Sequence, residues 1–196
     1  MISELYFQLM NKLTDIQLFN TLKSGNKIAL GELFNRYYDD LKHYGMYIAN
    51  DPTIAEDCIQ ELFIYIFEAR SRLADVKNVK SYLFTALRRR LIENVDKRKA
   101  QELRNQKIVQ HVDIKFTPQD LIESREHTKL TNLALIKALN NLSDRKREAI
   151  YLRYFNSLTT NEISLVMGIS NQTVLNMLYQ GLKQIRKDEY LRGLLS

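Results

Sequence analysis

The sequence predicts an all-α protein built as two small helical domains joined by a flexible linker. Three observations carry this. Only six glycines and two prolines punctuate 196 residues, apolar residues recur at spacings of three and four, and no stretch alternates as a strand would. Hydrophobic residues make up 45% of the chain, enough for packed cores, and charged residues 27%, which fits a soluble protein. No apolar run approaches the roughly 18 residues that a membrane-spanning helix needs. The opening stretch, MISELYFQLMNKL, has Glu4 early and neither a basic leader nor a small-residue cleavage site, so no secretory signal is expected. A single cysteine, Cys58, leaves no partner for an internal disulfide and fits a reducing cytoplasm.

The elements follow in order. Residues Asp15 to Ser24 form a short expected helix, with Thr14 as its cap and Gly25 as its end. A second helix covers 27 to 49, with Leu33, Phe34, Tyr37, Leu41, Tyr44 and Ile48 on one face; Asn50, Asp51 and Pro52 break it. A third covers about 53 to 72 and buries Ala55, Ile59, Leu62, Phe63, Ile66 and Phe67. The loop ADVKNVKS leads to a fourth helix from about Tyr82. Between 106 and 128 the periodicity fades, Pro118 intervenes and charges scatter, so this stretch reads as a linker. Helix resumes near Lys129, and Ser143 caps the next one, DRKREAIYLRYFNS. The expected domains are therefore 1–105 and 129–196, with 106–128 between them.

The C-terminal end carries the sharpest local signal. Thr159 with Glu162 three residues later is a capping box, and Gly168 supplies the positive φ of a sharp turn. Ser170 then caps a helix running to about Arg186. Ile163, Met167, Ile169, Val174, Leu178, Leu182 and Ile185 fall where they can form one small core, and Ser164 is small where the helices would cross. That burial leaves Asn171, Gln172, Thr173, Asn176, Gln180 and Lys183 outside. Amides bond adenine edges in the major groove and threonine meets a thymine methyl, so this pair has the form of a DNA-reading helix-turn-helix. A helical hairpin with polar solvent-facing residues has the same pattern.

Net charge is +6, and its location matters more than its size. Residues 86–107 hold eight Lys and Arg against Glu93, Asp96 and Glu102, which accounts for five of the six net charges. A focused basic stretch favours a phosphate-backbone partner, although a solvated helix face looks alike. Catalysis finds no support. His43, His111 and His127 are scattered, zinc spacing is lacking, and no glycine loop is built to cradle phosphate. No cofactor, metal or small-molecule substrate is expected.

The stretch AEDCIQELFIYIFEARSRL, followed by DVKNVKSYLFTALRRRLIENVDKRK, resembles the core of a bacterial sigma factor of the extracytoplasmic-function group. The downstream LNNLSDRKREAIYLRYFNSLTTNEISLVMGISNQTVLNMLYQGLKQIRK resembles that group's C-terminal domain. The likeness spans nearly the whole chain. It implies binding to core RNA polymerase and promoter DNA, and an anti-sigma partner, frequently membrane-bound. Asp57, Gln60, Glu61, Ile64, Tyr65 and Glu68 fall opposite the apolar stripe of the third helix, a mixed acidic and apolar face suited to a basic protein partner. By resemblance it is the polymerase-clamp surface. The loop and fourth helix present Lys77, Asn78, Lys80, Tyr82, Arg88, Arg89, Asn94, Lys97 and Arg98, a set able to hold a single strand. By resemblance they melt and read the −10 element, while the reading helix meets the −35 element; Tyr82 fits a core role equally well. Leu175 and Met177 depart from the polar or basic residues common in the family's reading helix, which shifts base contact toward Asn and Gln. A stand-alone helix-turn-helix regulator, which would need a dimer face or ligand pocket before residue 105, and a helical adaptor are the competing readings.

Overall fold

Short polar side chains begin nearly every helix. In the computed structural model, which describes residues 11–104, Phe116 and 129–187, all regular structure among them is helical. The chain divides into two compact units, Met1–Gln110 and His111–Ser196.

In the first unit, α1 spans Asp15–Lys23, α2 Lys27–Ala49, α3 Pro52–Glu68 and α4 Val79–Arg104, with a 3-10 turn at Arg70–Arg72. Thr14 and Gln17 close a capping box at α1. Asn26 Oδ1 accepts from the amides of Ile28 and Ala29, and Asp51 Oδ1 from those of Thr53 and Ile54. Leu18, Phe19, Leu41, Tyr44, Leu62 and Phe84 lie at the centre of the packing, each almost fully buried. Fully burying such a side chain contributes about 1.5–3 kcal/mol. The crossing of α2 and α3 is close at Gly45, where a Cβ would sit 2.9 Å from the Ala55 Cβ. Arg36 fastens the start of the unit to α2: its guanidinium donates to Glu32 Oε1 at 2.8 Å, Asp15 Oδ1 at 3.0 Å and the Leu13 carbonyl at 2.9 Å.

Two boundaries differ from expectation. The third helix stops at Glu68 rather than near 72, because Arg70 turns back to donate to the Phe67 carbonyl at 2.7 Å. Its guanidinium lies 4.5 Å from the Phe67 ring centroid, so that ring stays half-buried. The fourth helix starts at Val79, three residues before the expected Tyr82. Asn78 Oδ1 accepts the Ser81 amide at 2.7 Å, and Val79 is buried.

In the second unit, α5 spans Lys129–Asn140, α6 Asp144–Tyr154, α7 Thr160–Met167 and α8 Asn171–Arg186. Ala149, Leu152, Ile163, Val166, Val174 and Leu178 are buried, while Ile169, Leu182 and Ile185, expected in this core, are only partly covered. Buried Arg147 donates Nη2 to the carbonyls of Asn140 at 2.9 Å and Leu142 at 2.7 Å, which satisfies the end of α5. Phe116 belongs here too. It is 2% exposed, packs against Tyr151 and Phe155, and exchanges two backbone hydrogen bonds with the Asn140 side chain. The sequence placed Phe116 in the linker; the rest of 106–128 lies outside the described residues.

Candidate functional site

Geometry of the C-terminal pair begins with its caps. Thr159 Oγ1 accepts the Glu162 amide at 3.3 Å, and Glu162 Oε2 accepts the Thr159 amide at 2.7 Å. Gly168 ends α7 at φ 64°, a conformation glycine adopts without penalty. Ser170 Oγ accepts the Thr173 amide at 3.1 Å and starts α8. A close approach also lies between α8 and α6 at Gly181, where a Cβ would stand 2.7 Å from Ile150 Cδ1.

Of the six residues expected on the reading face, Gln172, Asn176, Gln180 and Lys183 are exposed. Asn171 and Thr173 are partly covered and already engaged. The Asn171 amide donates to Asn161 Oδ1 across the turn, and the Thr173 hydroxyl bonds Ser170 Oγ at 2.8 Å. These two brace the turn as well as facing it. Gln172 Nε2 donates to Asn176 Oδ1 at 3.2 Å, linking two candidates. Sequence reasoning did not place Tyr179 on this face; it is 66% exposed, with Lys183 Nζ 5.8 Å from its ring centroid. Its spacing of three from Asn176 was the available signal.

On α3 all six expected residues, Asp57, Gln60, Glu61, Ile64, Tyr65 and Glu68, are exposed along one stripe. Ile64 and Tyr65 are about half exposed or more, an apolar centre flanked by acids. The Arg90 guanidinium lies 4.9 Å from the Tyr65 ring centroid, so α4 supports this face from the side.

The third surface, the loop before α4 and α4 itself, departs most from a row of free cations. Lys77, Asn78, Arg89, Lys97 and Arg98 are exposed, while Lys80, Tyr82, Arg88 and Asn94 are partly covered. Lys80 pairs with Asp40 at 2.8 Å, Arg89 with Glu93 at 2.9 Å and Arg98 with Asp51 at 2.8 Å. The Arg98 bond, helped by the amides of Ile54 and Thr53, holds the Asp51 carboxyl below its ordinary range. Asn94 turns inward: Nδ2 donates to the Arg90 carbonyl at 3.1 Å and approaches Cys58 Sγ at 3.4 Å. Although expected among the strand-holding groups, it has its amide engaged within the unit. Burial pushes the Cys58 thiol up to about 11 and raises Tyr82 as well. Tyr82 packs edge-on to Phe19 with centroids 5.5 Å apart, which favours the core role. Beside the loop lies a cleft of roughly 320 Å³, lined by Thr14, Asp15, Ile16 and Tyr37 together with Lys77, Asn78, Val79 and Lys80. The first four come from elements distant in sequence, and no local pattern announced them.

Two family models match this chain. Sigma-70 region 2 matches residues 33–101, and Sigma-70 region 4 matches residues 132–185, which together cover more than half of the sequence. The first span contains α3 and most of α4, and the second contains the helix-turn-helix except the last residue of α8. The chain belongs to the sigma-70 family. It is similar to the extracytoplasmic-function (ECF) sigma factor SigL of Mycobacterium tuberculosis, 27% identical over 168 residues, covering 83% of this chain and 92% of the relative. SigM of Bacillus subtilis is 26% identical over 166 residues, covering 85% and 98%. In fold it is similar to the sigma factor RpoE from Bartonella quintana, solved in complex with the anti-sigma factor NepR, with a TM-score of 0.61, 20% identity and coverage of 83% and 96%.

This sigma factor is of the ECF group: it binds core RNA polymerase and directs promoter-specific initiation of transcription. The stand-alone regulator is not favoured, since the unit it would use for sensing is matched by sigma region 2. The family is not catalytic as a rule. Among the described residues no group of three or more His, Cys, Asp or Glu is placed to hold a metal, and no helix is long and apolar enough to cross a membrane.

Proposed function

We propose that three surfaces divide the work of initiation. The α3 stripe docks on the polymerase clamp through Asp57, Gln60, Glu61 and Glu68, with Ile64 and Tyr65 as the apolar centre. The loop and α4 hold the −10 strand through Lys77, Lys80, Arg88, Arg89, Lys97 and Arg98, while Asn78 and Tyr82 set the start of the helix. The α8 face meets the −35 element in duplex form through Gln172, Asn176, Gln180 and Lys183, with Asn171 and Thr173 bracing the turn. The residues 106–128 join a first domain of 1–105 to a second of 129–196, with Phe116 drawn into the second.

The observation that carries this reading is the α3 stripe. Exposed acids around exposed Ile64 and Tyr65 repel DNA but complement a basic protein surface, and an exposed apolar pair on one helix marks an interaction site. An anti-sigma partner that covers Ile64 and Tyr65 would compete with the polymerase; RpoE, of like fold, was solved in complex with an anti-sigma factor. The protein then works in the cytoplasm, without catalysis or cofactor of its own.

Size-exclusion co-elution with a bacterial core RNA polymerase tests the assignment. Wild-type protein is expected to co-elute. The Glu61→Lys variant, whose circular dichroism stays helical, is expected to bind at least about tenfold more weakly, because a like charge is placed against a basic partner. Equal binding by the variant would move the docking surface away from α3.

A further inference from the structure

The α8 face is unusual in what it lacks. From Asn171 to Gly181 it carries neither acid nor base; its first cation is Lys183, in the last turn. Arg and Lys are the commonest readers of guanine, because guanine offers two acceptors, N7 and O6, to the major groove. The N-terminal turns of a recognition helix are those that reach base edges, and here they hold no such donor.

What they hold suits A·T pairs. Gln172 and Asn176 lie one turn apart and bond to each other, Nε2 to Oδ1 at 3.2 Å. Gln172 Oε1 and Asn176 Nδ2 are left for the groove. Adenine presents the complement, an amino donor at N6 and an acceptor at N7; guanine would set O6 against the Gln172 oxygen. Leu175 and Tyr179 share this face, 46% and 66% exposed. Water is a poor surrounding for both side chains, and the C5-methyl of thymine is the apolar group that the major groove offers them.

We propose that α8 selects A·T base pairs in the upstream promoter element: the Gln172–Asn176 pair bonds adenine, and Leu175 with Tyr179 packs on thymine methyls. This rests on α8 being the promoter-reading helix. Lys183 adds a phosphate contact in the last turn. The face then distinguishes bases by amide pattern and methyl contact, without a guanine-reading arginine.

The test uses holoenzyme assembled from the full chain and a bacterial core RNA polymerase, and a random-sequence duplex library. Bound duplexes are sequenced, and the preferred one is remade with deoxyuridine for thymine in the upstream block, which removes the C5-methyl groups alone. The expected block is built of A·T pairs, and uracil weakens binding about fourfold for each contacted methyl. A Leu175→Ala, Tyr179→Ala double variant is expected to bind thymine and uracil duplexes equally. A block centred on G·C pairs, or wild-type indifference to uracil, overturns the proposal while leaving α8 as the reader. A double variant that keeps wild-type discrimination also overturns it and makes the apolar pair a protein contact. Absence of any upstream block, with Gln172→Ala binding as wild type, overturns the assignment of α8 itself.

Discussion

On α4 of the first unit, three of the cations expected to face DNA, or the loop beside it, already have carboxylate partners; on α8 of the second unit no carboxylate is present at all. Asp40, Glu93 and Asp51 hold Lys80, Arg89 and Arg98 in fixed directions. Binding phosphate therefore exchanges one anion for another, and the net gain is small per contact but strongly dependent on salt. The α8 amides have no counter-ion to release. Their contribution depends on donor and acceptor pattern, which salt hardly touches. On the proposed division of work, the first surface holds a backbone and the second discriminates among bases.

The largest expected effect sharpens this contrast. In filter-binding of holoenzyme to promoter DNA, Gln172→Ala should weaken binding by about 1–3 kcal/mol at every salt concentration, with the slope of log K against log salt unchanged. Lys97→Ala, at an exposed α4 position, should cost less at low salt but reduce that slope by about one. If both variants change the slope equally, the two surfaces use the same chemistry and the comparison fails.

A second contrast concerns the two glycine crossings. At Gly45 an added methyl meets Ala55, Cβ at 2.9 Å and Cα at 3.4 Å, and these atoms move only with the α3 backbone. At Gly181 the neighbour is Ile150 Cδ1, the end of a flexible side chain. Alanine gains about 1 kcal/mol over glycine in a helix, set against about 1–3 kcal/mol for overpacking. Gly45→Ala should therefore lower stability by up to about 2 kcal/mol in urea unfolding, and Gly181→Ala should be close to neutral. The reverse order would mean that α2 and α3 separate more readily than α6 and α8.

The smallest effect separates the two roles of Asp51. Asp51→Ala loses the α3 cap and the Arg98 bond and should destabilise by about 1 kcal/mol, whereas Asp51→Asn keeps a capping oxygen and should cost a few tenths. Because the folded carboxyl titrates below its unfolded value, the ion-pair contribution is fully present above about pH 4 and disappears as pH falls through the folded value. Wild type and Asp51→Asn should converge in stability there. Persistence of the difference in acid would place the effect in the cap alone.

Much of this was legible in the sequence where the cause is local. Thr14, Thr159 with Glu162, Ser170 and Gly168 act within a turn of themselves, and each holds its expected position. The α3 stripe was legible because helical period sorts residues by face. Pairings across the fold were not: Arg98 and Asp51 are 47 positions apart, and no periodicity links them. Asn94 reads as an exposed amide on a basic helix until α3 brings Cys58 beside it. Asn78 reads as a loop residue able to hold a base, yet a short polar side chain before Val79 is also a cap. Phe116 gave no signal because a lone aromatic in an aperiodic stretch has no face to belong to.

Asn140 joins two things that the chain keeps apart. Its side chain accepts the Phe116 amide at 2.7 Å and donates to the Phe116 carbonyl at 3.1 Å, and its own carbonyl accepts from Arg147. Releasing Phe116 would strip a ring from Tyr151 and Phe155 and leave the Asn140 amide without its partners. Amide hydrogen exchange at Phe116 should therefore follow the slow opening of α6 rather than the rate of a surface loop. The cooperative unit begins at least thirteen residues before Lys129, and a fragment cut at that helix would be missing part of its own interior.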